Sequence, residues 1–141
     1  NNFTGRIPES FGALKNLSDF RIDGSRLSGK IPDFIGNWTK MTILDLQGTS
    51  MEGPIPSSIS LLKNLQQLRI SDLSGSVSRF PNLEGMTNMK YLILRNCLIT
   101  DSIPEFLANM SLNTLYIHLY TYSFNIDFRS ILFVILFSAD S

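Results

Sequence analysis

A period of 24 residues is the feature of this sequence that most constrains its fold. Residues 3–8 recur as residues 27–32 and 51–56, so that Gly5, Gly29 and Gly53 are 24 residues apart. A second column keeps the same spacing and consists of the large apolar residues Leu14, Trp38, Leu62, Met86 and Met110. A fixed period of this length marks a chain of stacked repeats, in which each unit buries its apolar side only against its neighbours.

Within each period the apolar residues follow steps of three, three and two. The fourth repeat shows the rule in Leu62, Leu65, Leu68 and Ile70. The last step of two indicates a short strand, because alternate side chains of a strand face the same side. The pattern therefore predicts one short strand per repeat, and stacking of the repeats makes these strands neighbours in a parallel sheet.

The full pattern, LxxLxxLxLxxNxLxGxIPxx, resembles the plant-specific leucine-rich repeat of cell-surface receptor-like kinases. Residues 46–56 and 89–99 further resemble the subgroup whose ectodomain joins such repeats to a malectin-like domain. The resemblance implies an α/β solenoid of 24-residue plant-type repeats, with short parallel strands on the concave face and short helical turns on the convex face. It covers residues 1–118, about five repeats without caps, and leaves residues 119–141 as an atypical hydrophobic tail.

Proline, glycine and one polar position predict the local structure of each repeat. The proline, as in Pro32, is expected at the first helical position, where its missing N–H leaves no partner unsatisfied. Gly12 and Gly36 are expected at the helix ends, where a positive φ favours glycine. The asparagine ladder of the resembling family corresponds here to Asn1, Ser25, Thr49 and Cys97. Cys97 is interpreted as a small buried ladder residue rather than a redox-reactive thiol, because free cysteines are commonly buried.

The fourth repeat departs from the period. The step from Ile70 to Leu73 is two residues shorter than the same step in the third repeat, and two extra residues further along restore the spacing. The segment from Ser71 to Gly85 is therefore expected to bulge on one edge of the solenoid. Both a functional loop and a tolerated insertion balanced by a deletion fit this pattern.

The end of the chain does not continue the repeat. The sixth repeat starts at Met110 with one residue missing, and no LxGxIP segment follows. The tail contains an apolar run from Ile131 to Phe137, which is much shorter than the roughly 20 residues of a membrane-spanning helix. We expect no membrane span, and interpret the run as an aggregation-prone, β-rich segment. A truncated gene, a retained intron or a frame change after about Ile117 would produce such a tail.

Side chains beside the apolar strand positions predict the concave surface. One column there holds Arg21, Asp45 and Arg69, whose alternating charges are expected to pair across strands. The predicted binding surface consists of Tyr91, Ile93, Arg95, Tyr116 and His118. Exposed aromatic residues with arginine are typical of protein-interface anchors. The open alternative is that further repeats, or the tail, cover these residues.

Several classes of function are disfavoured by the composition. Twelve basic and twelve acidic residues leave no net charge and no basic patch, so nucleic acid is not an expected partner. The chain has one histidine and one cysteine, without the spacing of a metal site, and no glycine-rich phosphate loop. We therefore expect no cofactor, no metal and no enzymatic activity in this chain.

The resemblance implies an extracellular recognition module, at the outer face of the plasma membrane or secreted. Such a module, as part of a receptor-like serine/threonine kinase, binds a protein or peptide ligand or a co-receptor ectodomain, and meets the membrane only through segments outside this chain. Candidate N-glycosylation triplets begin at Asn2, Asn16, Asn37 and Asn109. The alternatives are a secreted inhibitor of a cell-wall enzyme, whose cysteine-paired caps are not found here, and a non-functional truncated fragment.

Overall fold

The main sheet runs through the whole solenoid. The computed structural model of the chain describes residues 3–120 and 131–136. The sheet contains six strands in chain order, of which all but the last are parallel. They are β2 (Asp19–Arg21), β4 (Ile43–Leu46), β6 (Gln67–Ser71), β7 (Tyr91–Ile99), β8 (Thr114–Leu119) and β9 (Ile131–Leu136). The predicted solenoid with one short parallel strand per repeat is confirmed.

A second, smaller sheet was not predicted from the sequence. Its three parallel strands are β1 (Thr4–Gly5), β3 (Arg26–Lys30) and β5 (Ser50–Glu52). They lie close before the Ile-Pro pairs, and their register partners are 22 positions apart, as in Thr4 with Arg26, whereas Asp19 and Ile43 of the main sheet are 24 apart. The solenoid therefore has two parallel sheets, with the apolar core between the main sheet and the helical side.

The predicted helical turns are 3₁₀ helices, each five residues long. They are η1 (Glu9–Ala13), η2 (Asp33–Asn37), η3 (Ser57–Leu61) and η4 (Glu105–Asn109). Each begins directly after a proline, so the proline lies one residue before the first helical residue and not, as the sequence predicts, at that position itself. Pro8 shows the reason: it has an extended ψ of 141°, and its carbonyl accepts the first helical hydrogen bond from Phe11 N–H at 2.9 Å.

The prediction for Gly12 and Gly36 was wrong. Gly12 lies inside η1 and Gly36 inside η2, and neither has a positive φ. Close stacking of successive helices explains the glycines better. A Cβ atom on Gly36 would lie 2.8 Å from Ser58 Cβ, and one on Gly12 would lie 3.0 Å from Phe34 Cβ. Glycine at these positions lets neighbouring repeats approach each other on the convex side.

The core follows the predicted steps of three, three and two. In the third, fourth and fifth repeats all four apolar positions are buried, as Leu62, Leu65, Leu68 and Ile70 show in the fourth. The second repeat differs, because Leu14 is 44% exposed and Phe20 is only partly buried. Trp38 of the third repeat packs against the second: its ring contacts Phe20, and its indole N–H donates to Phe11 O at 2.8 Å.

The irregular segment after β6 contains no helix among the described residues. Instead, isolated parallel bridges attach it to both neighbours, Ser74 to Glu52 and Ser78 to Ile99. Leu73 is buried at the position of the fourth repeat that corresponds to Met51 in the third. The two repeats are joined there by a hydrogen bond from Ser74 N–H to the carbonyl of Met51 at 3.0 Å. The two-residue deletion read from the sequence is thus present in the turn. The broken sixth repeat still supplies β8, and the apolar run of the tail forms β9; the domain boundary after residue 118 stays a prediction.

Candidate functional site

Strand register places the concave residues in columns. The first column runs through Asp19, Ile43, Gln67, Tyr91 and Thr114, and each is the register partner of the next. The second column, which contains Arg69, Ile93 and Tyr116, is also in register. The second column begins with Arg21 and Asp45, as the sequence predicts, and both columns are in register because the paired parallel strands carry residues 23 or 24 positions apart side by side.

The predicted binding residues lie on β7 and β8. Ile93 is the register partner of Tyr116, and Tyr91 is that of Thr114. Tyr91 is 37% exposed, whereas Ile93, Tyr116 and His118 are half-buried. The register of β7 and β8 shifts between Leu94 and Ile99, and His118 pairs with Leu132 of β9. The register of β7 and β8 therefore does not make Arg95 and His118 partners, although both belong to the predicted surface.

Arg95 is part of a polar network at the shortened turn. Its guanidinium donates to Asp72 Oδ2 at 2.8 Å, and the other Asp72 oxygen accepts from Asn96 Nδ2 at 3.2 Å. The Ser71 hydroxyl donates to Asp72 Oδ2 at 2.7 Å and accepts from Gly48 N–H at 2.9 Å. Arg95 is 51% exposed, so it can still meet a partner, but its charge is already paired.

The network lowers the pKa of the Asp72 carboxyl below its ordinary value of 3.8. The hydrogen bond from Ser71 is the largest cause, with smaller contributions from Asn96 and Arg95, while partial burial acts in the opposite direction. Sequence reasoning named Arg95 but missed Asp72 and Asn96. The 24-residue column of Gly24, Gly48, Asp72 and Asn96 was the available signal, since all four have a positive φ and lie at the same place in successive turns.

The polar network joins two successive turns, and both contain backbone conformations that are unusual for residues with side chains. Asp72, Asn96 and Leu98 have φ values of 60°, 51° and 57°. Aspartate and asparagine enter this left-handed region more readily than other residues. Leucine rarely does, so Leu98 stores backbone strain within β7, near the end of the predicted binding strand. Strain of this kind persists only where surrounding contacts hold the turn, as the Asp72 network does here.

Arg21, Asp45 and Arg69 do not pair as predicted. Arg21 forms its ion pair with Asp19 on its own strand, at 2.8 Å. Asp45 is 6% exposed and accepts from the N–H of Gln47 at 3.1 Å. Burial raises the pKa of the Asp45 carboxyl above 3.8, although the charge of Arg69 opposes this. The buried Nε of Arg69 has no hydrogen-bond partner among the described residues.

Cys97 is a buried thiol, as its position in the ladder predicts. It is 2% exposed, and its Sγ donates to the carbonyl of Ile70 at 3.3 Å. Burial raises the pKa of this thiol to about 12, so it is protonated at neutral pH and a poor nucleophile. Of the other ladder residues, Thr49 and Ser25 are also buried, and Asn1 lies outside the described residues. Thr49 donates to Leu46 O, and Ser25 has no side-chain partner within the described chain.

The glycosylation candidates Asn16, Asn37 and Asn109 are exposed. Asn37 and Asn109 are the last residues of η2 and η4 on the convex side, away from the concave columns. The amide of Asn37 donates to Gly12 O at 3.2 Å, and the Asn16 side chain accepts from Lys40 at 2.8 Å. Asn2 lies outside the described residues. The geometry leaves the concave face free of glycans, and glycosylation itself stays a prediction.

Two surface depressions lie near the first repeats. A groove of about 460 Å³ beside the smaller sheet is lined by basic Arg6 and Lys30 and by acidic Glu9, Asp33 and Glu52. A smaller, mainly apolar depression of about 280 Å³ is lined in part by Phe3, Phe11 and Phe20. The described residues contain no group of three His, Cys, Asp or Glu side chains that could hold a metal ion. Within the same part of the chain, no helix is long and apolar enough to cross a membrane.

Comparison with known proteins identifies the repeat. The family model described as Leucine Rich Repeat matches residues 88–110. A probable LRR receptor-like serine/threonine-protein kinase of Arabidopsis thaliana is 65% identical over 49 residues, which are 34% of this chain and 5% of that protein. The chain thus corresponds to a small part of the length of this relative.

Solved structures agree with this result over most of the chain. The LRR ectodomain of the Arabidopsis thaliana receptor kinase GASSHO1/SCHENGEN3, in complex with CASPARIAN STRIP INTEGRITY FACTOR 2, has a TM-score of 0.74 and 31% identity, covering 80% of this chain and 14% of that one. The Arabidopsis receptor kinase HAESA, in complex with the peptide hormone IDA and the co-receptor SERK1, has a TM-score of 0.66 and 31% identity, covering 86% and 25%. The chain is therefore a leucine-rich-repeat solenoid similar to the ectodomains of plant receptor-like kinases.

Proposed function

We propose that this chain is a non-catalytic, extracellular recognition segment of a plant receptor-like kinase, and that it binds a peptide ligand or a co-receptor ectodomain. The observation that carries the proposal is the register of β7 and β8, which places Ile93 beside Tyr116 and Tyr91 beside Thr114 on the concave face. The complex of HAESA with a peptide hormone and a co-receptor supports this class of partner. Any kinase activity or malectin-like domain would belong to other segments of a longer protein.

The proposed anchor of the surface is the aromatic pair Tyr91 and Tyr116, with Ile93 between them. Aromatic side chains give large contact areas at small cost in conformational entropy, which is why they dominate interface energies. Arg95 and His118 flank them at the end of the strands. Because Arg95 is already bound to Asp72, we expect it to contribute a partly exposed, pre-oriented hydrogen-bond donor rather than a free charge.

A binding screen with matched variants tests the proposal. The full chain is immobilised and exposed to a library of synthetic plant secreted peptides and to a panel of secreted plant LRR ectodomains. For any partner found, we expect Tyr91→Ala and Tyr116→Ala each to weaken binding about tenfold or more, which corresponds to about 1.4 kcal/mol. Gln67→Ala is the control, because Gln67 occupies the same column as Tyr91 on the neighbouring strand.

Two outcomes would remove the proposal. Equal weakening by Gln67→Ala and Tyr91→Ala, with no weakening by Tyr116→Ala, would show that the interface is not centred on β7 and β8. Failure of every peptide and every ectodomain to bind a chain that is monomeric and folded by circular dichroism would favour the truncated-fragment alternative.

Extracellular location is tested by glycan occupancy. After secretion from plant cells, we expect glycans on Asn16, Asn37 and Asn109, because all three are exposed acceptor triplets. Peptide mass mapping with and without a deglycosylating enzyme measures the occupancy of each site. Asn64 is exposed but lacks the triplet, so it is the internal control and should stay unmodified. Secretion without any occupied site would contradict the assignment of these residues.

A further inference from the structure

Strand β9 differs from all the other strands in its direction. It pairs antiparallel with β8 over six residues, from Thr114 opposite Leu136 to Leu119 opposite Ile131. Every other strand pair in the described structure is parallel. A repeat strand that followed β8 would also be parallel, because the period carries the chain round the solenoid in the same direction. β9 therefore occupies the position of a repeat strand without being one.

We propose that the edge of β8 that faces away from β7 is a strand-accepting surface. It takes an extended, uncharged, apolar segment in antiparallel orientation, and the chain's own β9 is its occupant. While β9 is bound, no partner strand and no further repeat can pair with β8. The inference does not depend on the ligand of the concave face, since it concerns backbone pairing at the edge of the sheet.

Backbone alternation shows which groups of β8 face this edge. Thr114 N–H donates to Lys90 O at 3.1 Å, so Thr114 faces β7. Successive residues of a strand direct their N–H and C=O groups to opposite sides. Leu115, Ile117 and Leu119 therefore direct theirs toward β9, in register with Ile135, Phe133 and Ile131.

The sequence of β8 suits strand addition. It reads Thr-Leu-Tyr-Ile-His-Leu, without lysine, glutamate or proline, which are the residues that usually protect an edge strand. β9 reads Ile-Leu-Phe-Val-Ile-Leu and carries no charge, so it matches that edge without repulsion. Strand addition of this kind takes its affinity mainly from main-chain hydrogen bonds.

Two neighbouring proline substitutions provide a matched test in the full chain. The alternation directs Phe133 N–H toward β8 and Val134 N–H away from it, so Phe133→Pro removes a ladder bond and Val134→Pro does not. We expect Phe133→Pro to speed hydrogen exchange of the Leu115, Ile117 and Leu119 amides by at least about tenfold. Val134→Pro should leave these amides protected. Equal exchange in both variants, or no protection in the unaltered chain, would overturn the proposal.

A peptide supplied in trans tests whether the edge accepts a strand. The probe is residues 129–138 with two lysines added at each end for solubility. We expect it to restore protection of the three β8 amides in Phe133→Pro and to leave the unaltered chain unaffected, because a tethered strand competes at an effective concentration of about millimolar. A probe that binds both chains equally, or that restores nothing, would show that β8 has no such surface.

A cysteine pair checks the register should the proline variant fail to fold. His118 and Leu132 are opposite each other as a non-hydrogen-bonded pair, with Cα atoms about 4.5 Å apart in such pairs, which permits a disulfide. We expect His118→Cys with Leu132→Cys to crosslink within one chain. His118→Cys with Phe133→Cys is the control and should not crosslink, since adjacent strand positions project to opposite faces. Equal crosslinking, or none in the first pair, would contradict the pairing.

Discussion

The turn after β4 and the turn after β6 occupy the same place in successive repeats, but different interactions hold them. The first covers a step of five positions from Leu46 to Met51, and its buried Thr49 donates to Leu46 O at 3.2 Å. The second lacks two residues, and the charged network of Ser71, Asp72 and Arg95 takes the place of the ladder hydroxyl. A repeat can therefore lose part of its turn when polar side chains replace the backbone contacts that the missing residues made.

The apolar residues that lead into the two turns should respond alike, and this is the largest effect that we expect. Leu46 and Ile70 are 1% and 0% exposed. Leu46→Ala and Ile70→Ala should each lower the free energy of unfolding by about 2–5 kcal/mol, through lost burial and the cavity left behind. Chemical denaturation followed by circular dichroism measures the change. Gln66→Ala, at an exposed position, is the control; a much smaller loss for Ile70→Ala would mean that the shortened repeat is loosely packed.

The serine of the shortened turn should contribute more than an ordinary serine. Ser71→Ala leaves Gly48 N–H and Asp72 without their shared partner, so we expect a loss of about 1–3 kcal/mol in the free energy of unfolding. Ser60→Ala removes an exposed hydroxyl that donates to Ser57 O, and should change stability by less than about 0.5 kcal/mol. The same denaturation experiment compares the two variants, and equal losses would deny the network any special role.

The carboxylates Asp72 and Asp45 should give opposite pH dependences. The pKa of Asp72 is lowered in the folded chain, so its stabilisation is present above the unfolded value of 3.8 and is lost as the pH falls through the folded pKa. The pKa of Asp45 is raised by burial, so its ionisation destabilises the fold as the pH rises from 3.8 through the folded pKa.

Substitution by asparagine separates the two carboxylates. Asp72→Asn should reduce the acid loss of stability by about 0–1 kcal/mol, a small value because the side chain is 38% exposed. Asp45→Asn should instead remove the loss of folding stability that accompanies the ionisation of Asp45 as the pH rises. Denaturation midpoints between about pH 2 and pH 7 measure both effects, with Asp33→Asn, at an exposed carboxylate, as the matched control. The same sign for both variants would contradict the assigned pKa directions.

The difference between the two turns also shows how far the sequence could predict this molecule. The columns of concave residues followed from the period alone, because parallel strands of equal repeats stack residues 24 positions apart. Arg95 pairs with Asp72, which is 23 positions away, although its register partner is Ser71. A diagonal partner of this kind cannot be read from the column pattern alone.

Two other features depended on contacts between distant segments. Gly36 matches a helix end by local chemistry, yet its role follows from the approach of Ser58 in the next repeat. The apolar run of the tail was recognised as β-rich, but its pairing with β8 depends on the strand order of the main sheet, which the run itself does not encode. Local propensity predicted the elements of this chain, whereas tertiary contacts decided what each irregular residue does.

The two arginine ion pairs should give the smallest effect and the sharpest contrast. Arg21 and Asp19 form an isolated, exposed pair on one strand, whereas Arg95 and Asp72 belong to a network that joins two turns. Arg21→Ala should leave the melting temperature unchanged within error, since exposed pairs contribute little. Arg95→Ala should lower stability by about 0–1 kcal/mol, and the loss should persist at high salt because Ser71 and Asn96 keep Asp72 in place. Thermal melts at low and high salt compare the variants. A loss in Arg95→Ala that disappears with salt would make its pair an ordinary surface contact, and the shortened turn would then depend on the hydrogen bonds of Ser71 and Asn96 to Asp72.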